Sequence, residues 1–223
     1  MTLALDHLVL AARTLDEGVA WCETTLGLRP EAGGQHVFMG THNRVFGIGA
    51  AAFPRSYFEI IAIDPSLPAP KRPRWFGLDE PALQRALARG PQLVTWVARC
   101  DDIAETHATM LAAGIDCGVV ELAERATPRG LLRWKISVRA DGRRLRGGAA
   151  PALIEWGDVH PSASLPPSGI ELKTMRLGGW PEVLAPLLPP HIERDLSPGA
   201  PPISVVLSCP RGLVTLHGQP NED

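Results

Sequence analysis

Apolar residues near the start of the chain change from a continuous run to a helical spacing. The run over residues 3–12 is short and rich in branched side chains, which predicts a strand. Thr14, with Glu17 three residues later, is a candidate N-cap, and Gly27 is a candidate C-cap, so we expect a helix between them. Its apolar positions share one face at spacings of four, three and four: Leu15, Val19, Cys22 and Leu26.

Three more strands are predicted after this helix, where glycine and proline separate short apolar segments. The segments read "HVFMG" (36–40), "NRVFGIG" (43–49) and "SYFEIIAI" (56–63). With the first strand and helix they make a β-α-β-β-β unit that ends near residue 65.

The same order of elements returns after a proline-rich connection. A strand over "PQLVTWVARC" is followed by a helix over "DDIAETHATMLAAG" and by strands over "CGVVELAER", "LLRWKISVRA" and "PALIEWG". His7 lies eight positions before Leu15, the first apolar residue of the first helix. Thr95 lies eight positions before Ile103, its counterpart in the second helix. The common offset of 88 residues predicts an internal duplication.

These patterns divide the chain into four segments and predict an α+β fold. Residues 1–65 form the first module, 66–90 a proline-rich linker with a short helix, and 91–161 the second module. Residues 162–223 form a truncated third unit, with a strand over "GIELKTMRLGG", a short helix over "WPEVLAPLLPP" and a hairpin over "ISVVLSC" and "GLVTLHG".

Composition excludes several classes of partner. The chain of 223 residues is 45% hydrophobic and has a formal charge of −2, so it has no overall field that attracts nucleic acid or anionic membrane. No run approaches the roughly 20 apolar residues that span a bilayer, and the start lacks the pattern of a signal peptide. The four cysteines are scattered, which is typical of free thiols in a reducing compartment. We therefore expect a soluble, cytoplasmic protein.

Three ionisable side chains lie in otherwise apolar strands. Because side chains alternate along a strand, His7 shares a face with Leu5 and Val9, and Glu59 shares one with Tyr57. Glu155 holds a similar place in the second module. A buried, unpaired carboxylate costs several kcal/mol, so such groups are normally paired, metal-bound or neutralised. The alternative is a hydrogen-bonded core histidine with glutamates on water-facing sheet edges.

The chain resembles the glyoxalase-like proteins of the vicinal oxygen chelate superfamily over residues 3–161. The resemblance is carried by "DHLVLAARTLDEGVAWCETTLGLRP", "GGQHVFMGTHNRVFGIG" and "YFEIIAIDP". It implies that paired βαβββ modules form a cupped mixed sheet with helices on the convex side. It also implies a divalent metal on the concave face, held by residues of the first and last strand of each module.

Carried onto this sequence, the resemblance assigns three metal ligands: His7, Glu59 and Glu155. The fourth position falls on Thr95, where the family pattern most often has histidine, and a threonine hydroxyl is a poor ligand. Oxygen-rich ligation suits Mn, Fe, Ni or Mg, with Zn as a further candidate. The alternative is that the metal has been lost, with Glu59 as a general base and His7 as its partner.

Several polar residues are candidates for substrate binding. The glycine-containing run "GGQHVFMGTHN" offers donors and acceptors next to backbone that a ligand approaches closely. Tyr57 is a candidate catalytic hydrogen-bond donor beside Glu59 and His7. The predicted substrate-binding residues are His36, Thr41, His42, Asn43 and Thr95. The alternative is a tight hairpin in which Thr41 and Asn43 cap backbone groups.

The sequence and the resemblance together favour a small-molecule enzyme. We expect lyase, isomerase or dioxygenase chemistry on a small oxygenated substrate, with divalent-metal dependence as one form of it. The alternative is a non-catalytic protein that binds and sequesters a small molecule, as relatives of the antibiotic-resistance type do. No nucleic acid or membrane partner is expected, and a homodimer is compatible with the family's module pairing.

Overall fold

The computed structural model describes residues 3–127 and 130–219. In these ranges the strands are β1 (Ala4–Ala11), β2 (Glu31–His36), β3 (Thr41–Gly47), β4 (Tyr57–Ile63), β5 (Gln92–Arg99), β6 (Val119–Thr127), β7 (Gly130–Val138), β8 (Ala152–Trp156), β9 (Glu171–Gly178), β10 (Ile192–Asp195), β11 (Ile203–Cys209) and β12 (Gly212–His217). The α-helices are α1 (Leu15–Thr25), α2 (Pro81–Leu87) and α3 (Ile103–Ala112). None of the helices described is long and apolar enough to cross a membrane.

Helix α1 forms as the cap and spacing pattern predicts. The Thr14 side chain accepts a hydrogen bond from the backbone N–H of Glu17, 3.2 Å away, which satisfies one unpaired donor of the first turn. Gly27 has φ +77°, a left-handed conformation that glycine adopts without a Cβ clash, and its N–H bonds to the Cys22 carbonyl. The apolar face of the helix is buried against the sheet.

Eight strands form one mixed sheet in the order β2-β3-β4-β1-β5-β8-β7-β6. Within each module the first strand pairs in parallel with the last, β1 with β4 and β5 with β8. The two modules join through their first strands, because β1 and β5 pair antiparallel in the middle of the sheet. The predicted α+β class and paired βαβββ modules are therefore confirmed.

The register between β1 and β5 confirms the duplication at the predicted offset. His7 pairs with Val97, and Val9 pairs with Thr95. In the first pair, the position 88 residues after His7 is Thr95, and the position 88 residues before Val97 is Val9, which are the members of the second pair. A pseudo-twofold axis therefore passes between the two strands. Thr95 is thus the structural counterpart of His7.

Each face of the eight-stranded sheet carries its own apolar cluster. On the convex face Leu8 and Leu10 pack with α1, α3 and the C-terminal strands. On the concave face Val9 and Ala11 pack with residues of the second module, such as Ile154. Strand alternation along β1 sends neighbouring side chains to opposite clusters, so the concave face is a separate compartment.

One predicted strand is displaced. Residues 36–40 were expected to be extended, but β2 ends at His36 and residues 37–39 form a 3-10 turn. Gly40 closes this turn with φ +60°. Val37 and Phe38 are exposed, so their apolar character misleads a prediction based on hydrophobicity. Strand β10 was missed, because its four residues carry little apolar pattern.

The C-terminal unit forms a second sheet in the order β10-β9-β11-β12. It packs on the convex side, where Leu172 N–H bonds to the Ile48 carbonyl and Leu3 N–H to the Leu187 carbonyl. Trp180 lies 6.1 Å from Trp96, ring centre to ring centre, in the shared convex cluster. This unit therefore completes the outer layer and leaves the concave face to the two modules.

We expect Trp180→Ala to destabilise the protein by about 3–5 kcal/mol, because it removes a large buried side chain between the two sheets. Denaturant unfolding measures the change. Val183→Ala is the matched control, since Val183 lies in the same segment but is 68% exposed. Equal stability of the two variants would show that Trp180 does not hold the sheets together.

Candidate active site

A bulge in β1 places two consecutive polar side chains inside the protein. The pairing with β5 shifts between Leu5 and His7, so Asp6 is an extra residue in the ladder. Asp6 and His7 are both buried, and Asp6 Oδ1 lies 2.7 Å from His7 Nδ1. Sequence reasoning identified His7 and missed Asp6, although an aspartate before a strand histidine is a visible signal.

The second oxygen of Asp6 binds residues of the second module. Its Oδ2 accepts a hydrogen bond from Trp156 Nε1 at 2.9 Å and lies 2.9 Å from His160 Nε2. The His160 Nδ1 accepts a hydrogen bond from the Ser162 N–H, so His160 Nε2 is the ring nitrogen that donates to Asp6 Oδ2. Arg99 Nη1 lies 3.5 Å from the same oxygen. These contacts fix the carboxylate and, through it, the His7 ring.

Glu59 lies on the other side of His7. Its Oε2 is 3.5 Å from His7 Nε2, and its Oε1 accepts a hydrogen bond from Asn43 Nδ2 at 2.5 Å. Asn43 is oriented in turn by the Gly34 N–H, which donates to its Oδ1 at 2.8 Å. The Tyr57 ring stacks on His7 with 4.5 Å between ring centres. Strands β1, β3 and β4 thus present one buried, oriented cluster.

The two carboxylates keep His7 protonated. Burial by itself lowers the pKa of His7, but hydrogen bonds to Asp6 and Glu59 outweigh it and raise the pKa to about 9. Burial likewise acts to raise the pKa of Glu59, yet the bonds from His7 and Asn43 lower it to about 2. Asp6 is held well below its usual pKa, against burial, by His160 and His7. The resting cluster is therefore an imidazolium between two carboxylates.

Two neighbouring groups stay neutral because they are buried. Burial lowers the pKa of His36 to about 4, and its Nδ1 lies 3.1 Å from Thr41 Oγ1. Burial also raises the pKa of the Tyr57 hydroxyl well above its ordinary value, so it remains a hydrogen-bond donor.

A small cavity of about 50 Å³ opens beside the cluster. Its walls combine the polar residues with aromatic side chains, and they include His7, His36, Asn43, Tyr57, Glu59, Trp75, Arg125 and Trp134. Two wider clefts, of about 1010 and 410 Å³, share Arg125 with it. The sequence analysis also missed Arg125, because in the sequence it is one charged residue in a predicted strand.

The predicted substrate-binding residues divide into two groups. His36 and Asn43 line the cavity, and Thr41 contacts His36 through its hydroxyl. His42 points away, with its Nδ1 3.4 Å from Asp64 Oδ2. Thr95 contacts the carbonyls of Trp96 and Gly148 and borders a different cavity of about 30 Å³. His42 and Thr95 are therefore not brought to the cavity beside His7.

Glu155 does not join His7 and Glu59, which corrects its assignment as a third ligand there. Its Oε1 binds Lys135 Nζ at 2.6 Å, and its Oε2 accepts from the Ile103 N–H at the start of α3. It shares the convex face with Leu153. The register explains the error: Val9 pairs with Glu59 and its counterpart Val97 pairs with Ala152, so Ala152 holds the place of Glu59.

A divalent metal does not fit this donor set. The described residues contain no group of three or more His, Cys, Asp or Glu side chains placed to hold an ion. His7 has both ring nitrogens engaged with carboxylates, whereas a metal ligand must be a neutral imidazole. The counterpart positions Thr95 and Ala152 supply no further strong ligand.

A family model described as a glyoxalase-like domain matches residues 5–188. The chain belongs to this family, which confirms the predicted resemblance to the glyoxalase-like proteins of the vicinal oxygen chelate superfamily. No curated protein matches the sequence significantly.

Several solved structures are similar to this chain at low sequence identity. A hypothetical protein from Staphylococcus aureus is similar over 96% of this chain and 86% of that chain, with 13% identity and a TM-score of 0.53. A methylmalonyl-CoA epimerase of Streptomyces coelicolor, in complex with 2-nitronate-propionyl-CoA, covers 71% of this chain and 99% of its own, with 18% identity and a TM-score of 0.42. The epimerase of Mycobacterium tuberculosis covers 69% and 86%, with 16% identity and a TM-score of 0.38.

We expect His7→Gln to destabilise the protein most below neutral pH. Since the folded pKa of His7 is about 9 and its ordinary value 6.5, the stabilisation is complete below 6.5 and disappears as pH rises through 9. The difference in unfolding free energy from wild type should narrow by on the order of 1–3 kcal/mol over that interval. Denaturant unfolding at several pH values measures it. His217→Gln, at an exposed position, should show no such trend. A constant difference would contradict the ion pair.

Divalent ions should leave the melting temperature unchanged. An ion bound to the folded state at a hundredfold excess over its Kd would add about 2.7 kcal/mol. Thermal melts with Mg²⁺, Mn²⁺, Fe²⁺, Ni²⁺ or Zn²⁺, each repeated with chelator, test this. A chelator-reversible rise that Glu59→Gln abolishes would show that the cluster rearranges to hold a metal.

Proposed function

We propose that this protein is an enzyme that moves a proton on a small oxygenated molecule, as an isomerase or lyase does. The observation that carries the proposal is the buried Glu59 and His7 pair, oriented by Asn43 and Asp6 beside a cavity. This arrangement supplies a base and an acidic hydrogen-bond donor on one face of a bound molecule.

Stability alone is a weak reason for such a cluster. Replacing buried ion pairs by well-packed apolar residues is often neutral or stabilising. The second module carries no ion pair at the equivalent places, where Thr95 corresponds to His7 and Ala152 corresponds to Glu59. A set of buried ionisable groups with shifted pKa values beside a cavity is typical of a catalytic site.

Glu59 and His7 together provide the groups that a proton transfer requires. A substrate oxygen takes the hydrogen bond of His7 Nε2, whose contact with Glu59 is long at 3.5 Å. Once His7 bonds to the substrate oxygen, it no longer lowers the pKa of Glu59. Burial then raises the pKa of Glu59, which becomes a stronger base. Glu59 then accepts a proton from the carbon beside the carbonyl, while the His7 imidazolium stabilises the enolate oxygen. When Glu59 returns the proton to a neighbouring atom on the same face of the enolate, an isomerisation is complete.

Tyr57 and Asp6 act as positioning residues in this scheme. The Tyr57 ring stacks on His7, and Asp6 binds its Nδ1, so the imidazole keeps Nε2 aimed at the cavity. Dioxygenase chemistry needs a metal centre that binds oxygen, and the donor set does not supply one, so we favour isomerase or lyase chemistry.

A second candidate is sequestration of a small molecule without chemistry. The aromatic walls of the cavity, Trp75 and Trp134, favour it, because aromatic faces bind flat ligands through area and stacking. Binding without proton exchange would distinguish this function from catalysis.

Glu59→Gln should reduce proton transfer by about 100-fold or more, since the amide removes the base and keeps the shape. The assay is exchange of C–H for deuterium in D₂O, followed by proton NMR with a panel of small 2-oxo acids, 3-oxo acids and oxo esters. Glu155→Gln is the matched control and should keep the wild-type rate, because Glu155 lies on the convex face with Lys135.

Equal exchange rates in wild type and Glu59→Gln would contradict the proposed role of Glu59. Equal loss in both variants would point to a structural effect, which circular dichroism of each variant identifies. Binding of a panel member without exchange in the wild-type protein would favour the sequestering function.

A further inference from the structure

We propose that Arg125 binds a carboxylate of the ligand, so that the substrate of this site is a small carboxylic acid. The reaction on that acid rests on the proposed function, whereas the binding of the carboxylate does not. The inference starts from Arg125 beside the His7 and Glu59 cavity, whose buried Nη1 has no hydrogen-bond partner among the residues that the structure describes.

Arg125 has a buried donor without a partner. Its Nη1 is shielded from solvent and has no hydrogen-bond acceptor among residues 3–127 and 130–219. Arginines nearby behave differently, because Arg133 binds Glu124 and Arg72 binds Glu121 through carboxylates. A buried unpaired donor costs free energy, and a charged one costs more, so a ligand that supplies an acceptor removes that cost.

The fold holds the guanidinium across the mouth of the concave face. Arg125 lies on β6 at one edge of the sheet, and Gly34 lies on β2 at the other edge. A Cβ built on Gly34 would lie 2.5 Å from Arg125 Nη1, so the guanidinium rests directly against glycine backbone. A larger residue at position 34 would exclude Arg125 from this place.

The chemistry of the group favours a carboxylate. A guanidinium presents paired N–H donors in a plane that match the two oxygens of a carboxylate. A carboxylate at Arg125 also lies near Glu59, and a second negative charge there raises the pKa of Glu59, which strengthens it as a base. A carboxylate bound at Arg125 therefore also favours the proton transfer to Glu59.

The space limits the size of the reacting part. A cavity of about 50 Å³ holds only a few ligand atoms, given that one water needs roughly 10–15 Å³ on this measure. The wider cleft of about 1010 Å³ begins at the same arginine and offers room for any remainder. The expected ligand is a short acid, or a longer molecule that carries its carboxylate beside the reacting carbon.

Isothermal titration calorimetry with pyruvate and lactate tests this inference, with the neutral amides pyruvamide and lactamide as matched ligands. We expect the acids to bind at millimolar or lower concentration and the amides to bind at least about tenfold more weakly. Arg125→Met should weaken the acids by about tenfold or more. Arg133→Met is the control variant, because Arg133 is exposed on the neighbouring strand, and it should bind like wild type.

Arg125→Lys keeps the charge without the planar fork, and it provides a second variant if Arg125→Met does not fold. It should bind the acids more weakly than wild type and more tightly than the amides. Equal binding of acids and amides, equal acid binding in wild type and both Arg125 variants, or no acid binding at millimolar concentration would each overturn the inference. Binding of inorganic phosphate alone would overturn it in favour of a phosphate ester.

These experiments distinguish failure of the carboxylate site at Arg125 from failure of the proposed catalytic role of Glu59. If acid binding depends on Arg125 but Glu59→Gln exchanges protons normally, the carboxylate site stands and the catalytic role of Glu59 fails. If Glu59→Gln loses exchange while Arg125→Met binds and exchanges like wild type, the catalytic role stands and the carboxylate site fails.

Discussion

The interaction on which the site depends is the set of bonds to the buried carboxylate of Asp6. An ionised carboxylate away from water is stable only when its oxygens are satisfied, and here one oxygen binds His7 while the other binds Trp156 and His160. The first partner comes from module one and the other two from the end of module two. The same anion therefore joins the halves of the sheet and fixes the imidazole that faces Glu59. A bulge of one residue in β1 makes both possible.

The two modules have the same backbone arrangement but different chemistry. The backbone register relates His7 to Thr95 and Glu59 to Ala152, so the scaffold is symmetric where the side chains are not. The first module holds Asp6 with the His7 and Glu59 pair, and the second contributes apolar wall, two partners of Asp6 (Trp156 and His160), and Arg125. A site of this kind has one reactive side, in contrast to a metal centre that draws ligands equally from both modules.

Local patterns predicted the elements well and the contacts between them less well. Capping and spacing predicted α1, and the offset of 88 residues predicted the pairing of the modules, because both are local or repeated signals. Alternation correctly placed Glu155 with Leu153, but it does not tell which face of a strand is concave. That depends on the register of β5 with β8, which is set by tertiary packing. The place of Arg125 in the site could not be predicted for the same reason, because it depends on contact with Gly34 of the other module.

The C-terminal unit has a consequence for how this protein can change. By covering the outer surface of the sheet it supplies much of the apolar burial that folding requires, on the side remote from the chemistry. The inner surface also has an apolar cluster of its own, and beside that cluster it accommodates the charged side chains of Asp6, His7 and Glu59. Substitutions on the concave face can therefore change the specificity of the site, while packing on the convex face maintains the folding stability.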